Sequence, residues 1–161
     1  MYGGTRFWAG GLVLLMTSLP VSLAQSAKED PLKVGSVWSG KLTQKGQIDN
    51  KEVTLNLDAT LTIIQRKGEK FDAELYEKGA SGSGLELTYL VTGELTPSAD
   101  GKGYEIQFRS FGYKNPKSAT FLKIPYVGSL KANTLKGTWK HPKNAQGITI
   151  EGDFNLERKP N

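Results

Sequence analysis

The chain has no cysteine anywhere in its 161 residues. That excludes a disulfide framework, a cysteine nucleophile, a thiolate metal site and a lipid anchor attached to a cysteine behind a leader. Histidine is nearly as scarce. The single one, His141, stands in a turn sequence just ahead of Pro142. A lone turn histidine with no partner cluster is far more often a solvated residue than a catalyst or ligand, so neither a metal nor a cofactor is expected. The Ser/His/Asp spacing of a triad, a phosphate-cradling glycine loop and a calcium-loop pattern are all missing, and the chain reads as a non-enzyme. Helical periodicity is missing as well.

The chain opens on a leader. Arg6 precedes an apolar core from Phe7 to Leu19, then come Pro20 and a small-residue site from Ser22 to Ala24. The pattern predicts a secretory signal peptide over residues 1–24, cleaved after Ala24. Its core of 13 residues is short of the roughly 20 needed to cross a bilayer as a helix. No later run of that kind follows, so the mature chain is expected to be exported, periplasmic or extracellular, with no transmembrane helix. Residues 25–34 read as a flexible polar arm, 35–158 as one β-barrel domain and 159–161 as a tail.

Charge is unevenly spread. From Gln25 to Gly101 there are 9 basic and 12 acidic residues, and from Lys102 to the end 11 basic and 4 acidic. Between Glu105 and Glu151 no carboxylate occurs, while Lys114, Lys117, Lys123, Lys131, Lys136 and Lys140 all do. Lys136 and Lys140 can face Glu151 and Asp153 across neighbouring strands as ordinary ion pairs. Lys114, Lys117 and Lys123 have no such obvious partner, and with Phe121 they form a candidate surface for a polyanion or a partner.

Strand signals fill the rest. The segments Tyr126–Leu130, Leu135–Trp139 and Ile150–Phe154 share one phrase in which a glycine (Gly128, Gly137, Gly152) stands two residues before a large apolar one. Apolar and polar residues alternate through each, the period of a strand with one buried face. The same alternation marks Trp38–Leu42, Val53–Ile63, Phe71–Leu75, Leu85–Leu95 and Tyr104–Phe108, and it runs back from Tyr126 to Leu122. In the third strand Asp72, Glu74 and Tyr76 are read as outward.

Eight strands with short links predict an all-β fold, an antiparallel up-and-down meander that hides its edges by closing into a barrel. Pro125 falls inside the sixth strand, where it would cost a ladder hydrogen bond, and Leu90, Phe121 and Val127 lie on the polar face. The reading therefore allows a gap, or self-association, beside that strand. The inward glycines have two explanations: they let the strands coil sharply around bulky neighbours, or they widen a cavity. Strand carboxylates such as Asp58, Glu74, Glu86, Glu94, Glu105, Glu151 and Asp153 fall on the polar face, and no acid or base is read into the interior.

Two stretches, Val34–Gly40 and Leu135–Lys140, resemble strand motifs of the small calycin barrels, the lipocalin and avidin-like group. In this chain Gly35 stands three residues before Trp38, one more than in the Gly-x-Trp of lipocalins. The resemblance implies a barrel that holds a small, mostly apolar molecule.

The first functional expectation is thus an exported, non-enzymatic binding protein for a small apolar or amphipathic ligand, lined by the inward aromatics Trp38, Tyr89, Tyr126 and Trp139. The second is a structural or interaction module of the cell envelope working through its outer surface, with a polyanion as partner and nucleic acid not the main one. An outer-membrane barrel with its apolar face turned to lipid fits less well, because aromatic girdles are missing and some strands are short.

Overall fold

The computed structural model describes residues 30–48, 51–80, 84–115, 123–142 and 150–160. The expected signal peptide, residues 25–29 of the expected arm, Lys117, Phe121, Leu122 and Asn161 lie outside the described residues.

Eight strands follow in chain order: β1 (Val37–Ile48), β2 (Lys51–Lys67), β3 (Lys70–Ala80), β4 (Leu85–Pro97), β5 (Tyr104–Asn115), β6 (Pro125–Lys131), β7 (Thr134–Lys140) and β8 (Glu151–Arg158). Each pairs antiparallel with the next, and β8 returns to β1 to close the barrel. Trp38 opposite Arg158 and Leu42 opposite Phe154 fix the register of that closing seam.

The sheet is closed beside β6, in contrast to the gap allowed from sequence. Pro125 is the first residue of its strand, a position where a missing N–H breaks no ladder. It stands opposite Arg109. Just before it, the Ser110 amide donates to the Ile124 carbonyl at 3.1 Å, and the Ile124 amide donates to Ser110 Oγ at 3.0 Å.

The faces sort as the alternation requires. Leu42, Leu57, Leu61, Phe71, Val91 and Ile106 are among the inward residues buried in one core. Outside, ion pairs bridge strands: Lys41 to Asp58 at 2.6 Å, Lys78 to Glu86 at 3.3 Å and Lys140 to Glu151 at 2.8 Å. Lys41 hydrogen-bonds Asp58 and holds its carboxyl below the usual range. Lys136 faces Asn155 rather than an acid, because with Lys140 opposite Glu151 the register sets Thr138 opposite Asp153. Asp153 meets Lys45 of β1 instead, at 3.4 Å.

Inward glycines mark where strands crowd. Gly128 and Gly137 stand directly opposite each other. A Cβ on Gly128 would run into the Lys136 carbonyl oxygen, and one on Gly137 would meet Gly128 Cα at 2.6 Å and Phe154 Cζ at 2.5 Å. These glycines permit close backbone approach beside a large ring, which is the coiling role and not a widened cavity.

The two ends of the barrel differ. At one, a short segment folds back on the wall: the Gly35 amide donates to the Ile63 carbonyl at 2.9 Å, and the Ile63 amide donates to the Ser36 carbonyl at 3.1 Å. Leu32, which the sequence reading places in the arm, is fully buried in the core at this end. Arg66 Nε reaches Asp30 Oδ2 beside it at 3.0 Å. The opposite end is where β3 finishes and β6 begins.

Candidate functional site

At that second end an ionisable side chain points inward. Glu77 continues the inward series Phe71, Ala73, Leu75 by one more step of two residues. It is only 5% exposed. Its neighbours across the ladders are Ala59 of β2 and Leu87 of β4, neither of which can hydrogen-bond it through a side chain. The expectation of an interior without acid or base is therefore wrong at this position. The alternation legible in the sequence runs from Phe71 to Leu75 with Tyr76 outward, and the strand continues past it to Ala80, one more inward step carrying the acid.

Tyrosines supply what the walls do not. Tyr126 donates its hydroxyl to Glu77 Oε1 at 3.4 Å, and the Tyr89 hydroxyl also hydrogen-bonds the carboxyl. Tyr113 lies against Tyr89 with ring centroids 4.9 Å apart. Tyr126 in turn stacks on Phe108 and packs near Trp139, whose centroid is 6.3 Å away. The Trp139 Nε1 donates to the Thr43 carbonyl at 3.0 Å, which fixes the indole at the rim.

Irregularities in the ladder aim these residues. The β3–β4 register shifts between Lys78 and Ala80, immediately after Glu77. Gly79, with φ of 92°, takes the left-handed conformation there that other residues resist. The β4–β5 register shifts between Thr88 and Tyr89 and again between Leu90 and Val91, so that Tyr89 meets Tyr113 while Val91 meets Ser110. The extra residues are Lys114 and Phe111, and Phe111 is exposed. Bulges of this kind redirect side chains, and two of the three strand pairs in which the described ladder breaks register flank the Glu77 cluster.

No protein family, curated protein or solved structure matches this chain. What the site can do is therefore read from its own geometry. Burial pushes the Glu77 carboxyl up to about 7, against the opposing pull of the hydrogen bonds from Tyr126 and Tyr89. Burial and the neighbouring Glu77 charge push both of those phenols above their ordinary value, so they act as donors and stay protonated. A carboxyl poised near neutrality changes between a neutral donor and a charged acceptor with small changes in its surroundings. Among the described residues no group of three His, Cys, Asp or Glu side chains is arranged to hold a metal ion.

Of the four aromatics expected to line a pocket, the structure brings three together here: Tyr89, Tyr126 and Trp139. Trp38 is apart from them, fully buried towards the Leu32 end, opposite Leu61 and Arg158. Its Nε1 meets no acceptor among the described residues. Of the candidate partner surface, Lys114 is not without a partner as the sequence suggested: its Nζ lies 2.6 Å from Glu74 Oε1, reaching over β4. Lys123 is exposed ahead of β6.

Proposed function

We propose that this chain is an exported, non-enzymatic binding protein that holds a small amphipathic molecule at the Glu77 end of its barrel. One observation carries the proposal: a buried carboxyl, ringed by tyrosines, inside an otherwise apolar wall and towards one end. Burying an ionisable group costs folding energy unless it is fully compensated. A polar group retained at such cost towards one end of an eight-stranded barrel, the size that is either filled by side chains or holds one small ligand, fits a recognition role. The likeness to calycin barrels supports the same reading, since that resemblance implies a barrel holding a small, mostly apolar molecule. At the opposite end Leu32 and the Asp30–Arg66 pair fold against the core, with no ionisable group turned inward among the described residues there.

The outer-surface alternative draws less support, because Lys114 is engaged by Glu74 and Lys140 by Glu151. The specific feature in its favour is a groove of about 460 Å³ on the outer wall beside Pro125 and Val127, with Val127 about half exposed.

Native mass spectrometry of the mature chain, purified from its own source without detergent, tests the binding reading. A single small-molecule mass that leaves on denaturation is expected. A bare chain whose Tyr89, Tyr113 and Tyr126 resonances are also unmoved by a panel of amphiphiles would overturn it.

A further inference from the structure

The cluster also indicates the charge of its ligand. We infer that the site selects a protonated amine carrying an apolar, preferably aromatic, tail, with Glu77 as counter-ion; this rests on the binding reading above. Four observations converge.

The carboxylate has acceptor capacity to spare. An ionised carboxyl offers about four lone-pair positions, and two tyrosine hydroxyls bond it. An ammonium group brings three donors and a full charge, the partner that such a carboxylate lacks.

Among the described residues no protein cation fills that role. The groups that meet Glu77 are Tyr89 of β4 and Tyr126 of β6, with Ala59 of β2 and Leu87 of β4 opposite it on the ladders. The two lysines nearest in sequence pair with acids of their own, Lys78 with Glu86 and Lys70 with Glu94, and Lys114 pairs with Glu74.

The walls suit a cation. Tyr89 and Tyr113 form a tilted pair, and Tyr126 continues the aromatic surface to Trp139. Ring faces attract ammonium groups, more strongly when water is excluded, and the same rings accept an aromatic tail.

Finally, the site disfavours the alternative charge. An anion would meet the Glu77 carboxylate with no basic residue beside it among the described residues, whereas the charge of an ammonium would offset the burial that raises the carboxyl pKa. Binding at neutral pH should therefore release a proton from Glu77.

Three matched probes separate the possibilities: phenylbutylammonium, phenylbutanol and phenylbutyrate, titrated into the mature chain by calorimetry and by amide and tyrosine-ring NMR. At pH 8 the ammonium should bind roughly tenfold or more tighter than the alcohol, the scale of a hydrogen bond to a charged group, and the butyrate weakest. The preference should vanish in Glu77→Gln, and in the unaltered chain at pH 5, where Glu77 carries its proton. Equal binding of ammonium and alcohol at pH 8, with tyrosine shifts, would overturn the amine inference and leave the binding reading standing. No shift with any probe would overturn both.

Discussion

Tyr126 lays its ring flat on Phe108, with centroids 4.6 Å apart and planes 3° from parallel. The stack holds the phenol so that its hydroxyl reaches Glu77, coupling the aromatic core to the one acid of the cluster. Tyr126→Phe keeps the stack and deletes the donor. Because that hydrogen bond lowers the Glu77 pKa, the variant should titrate Glu77 above 7, read by carboxyl carbon NMR. Stability at neutral pH should fall by about 1–2 kcal/mol, the scale of a lost bond to a charged group. An unchanged Glu77 titration would show that the two residues are not coupled.

Stability should depend on pH through Glu77. Its folded pKa of about 7 lies above the ordinary 4.5, so between those values the folded chain binds more protons than the unfolded one. Stability is then greatest below about 4.5 and declines as pH rises towards 7, by about 3 kcal/mol if Glu77 acts alone. Glu77→Gln should flatten this slope and be the more stable chain at pH 8. Urea unfolding across the range checks both, and parallel curves for the two proteins would contradict the assignment.

Gly128 and Gly137 face each other with backbone where a side chain would be. Gly128→Ala should cost about 1–3 kcal/mol or more, since the overlap is with backbone that cannot swing aside. Gly112→Ala is the internal control: its nearest neighbour would be Leu90 Cδ1 at 4.0 Å, and little change is expected. Thermal melts of the two variants make the comparison.

Leu32→Ala should destabilise by about 2–5 kcal/mol, as a fully buried leucine does when truncated. Lys114→Gln should change stability by less than about 1 kcal/mol, because its partner Glu74 and it are both partly solvated. A chain indifferent to Leu32→Ala would mean that this segment does not help hold the barrel.

The strand alternation made the eight strands, their antiparallel order and the closure legible before any coordinates. What it could not carry were departures from a period of two. Phe111 is an extra residue in β5, so the inward parity read from Tyr104 to Phe108 changes before Tyr113, and Tyr113 was never placed in the interior. Leu32 sits among polar residues and turns, and only tertiary packing shows it buried. Glu77 is the instructive miss. It lies on the inward parity of its own strand, but an acid at the end of a run reads as the strand stopping. Aromatic lining was legible at Tyr89, Tyr126 and Trp139 because large inward side chains must go somewhere. The separation of Trp38 was not, since it depends on which end of each strand lies at which mouth.

The seam between β1 and β8 has a consequence for how the chain acquires its shape. Residues 38 and 158 are partners, so the last ladder to form joins the two most distant parts of the described sequence. Every earlier intermediate has two open sheet edges, and loop closure over that span is entropically slow. Folding should accordingly be rate-limited by a late, cooperative zipping of the final strand, and any event that delays it, such as a stalled or occupied β8, leaves β1 as a sticky template for a neighbouring molecule.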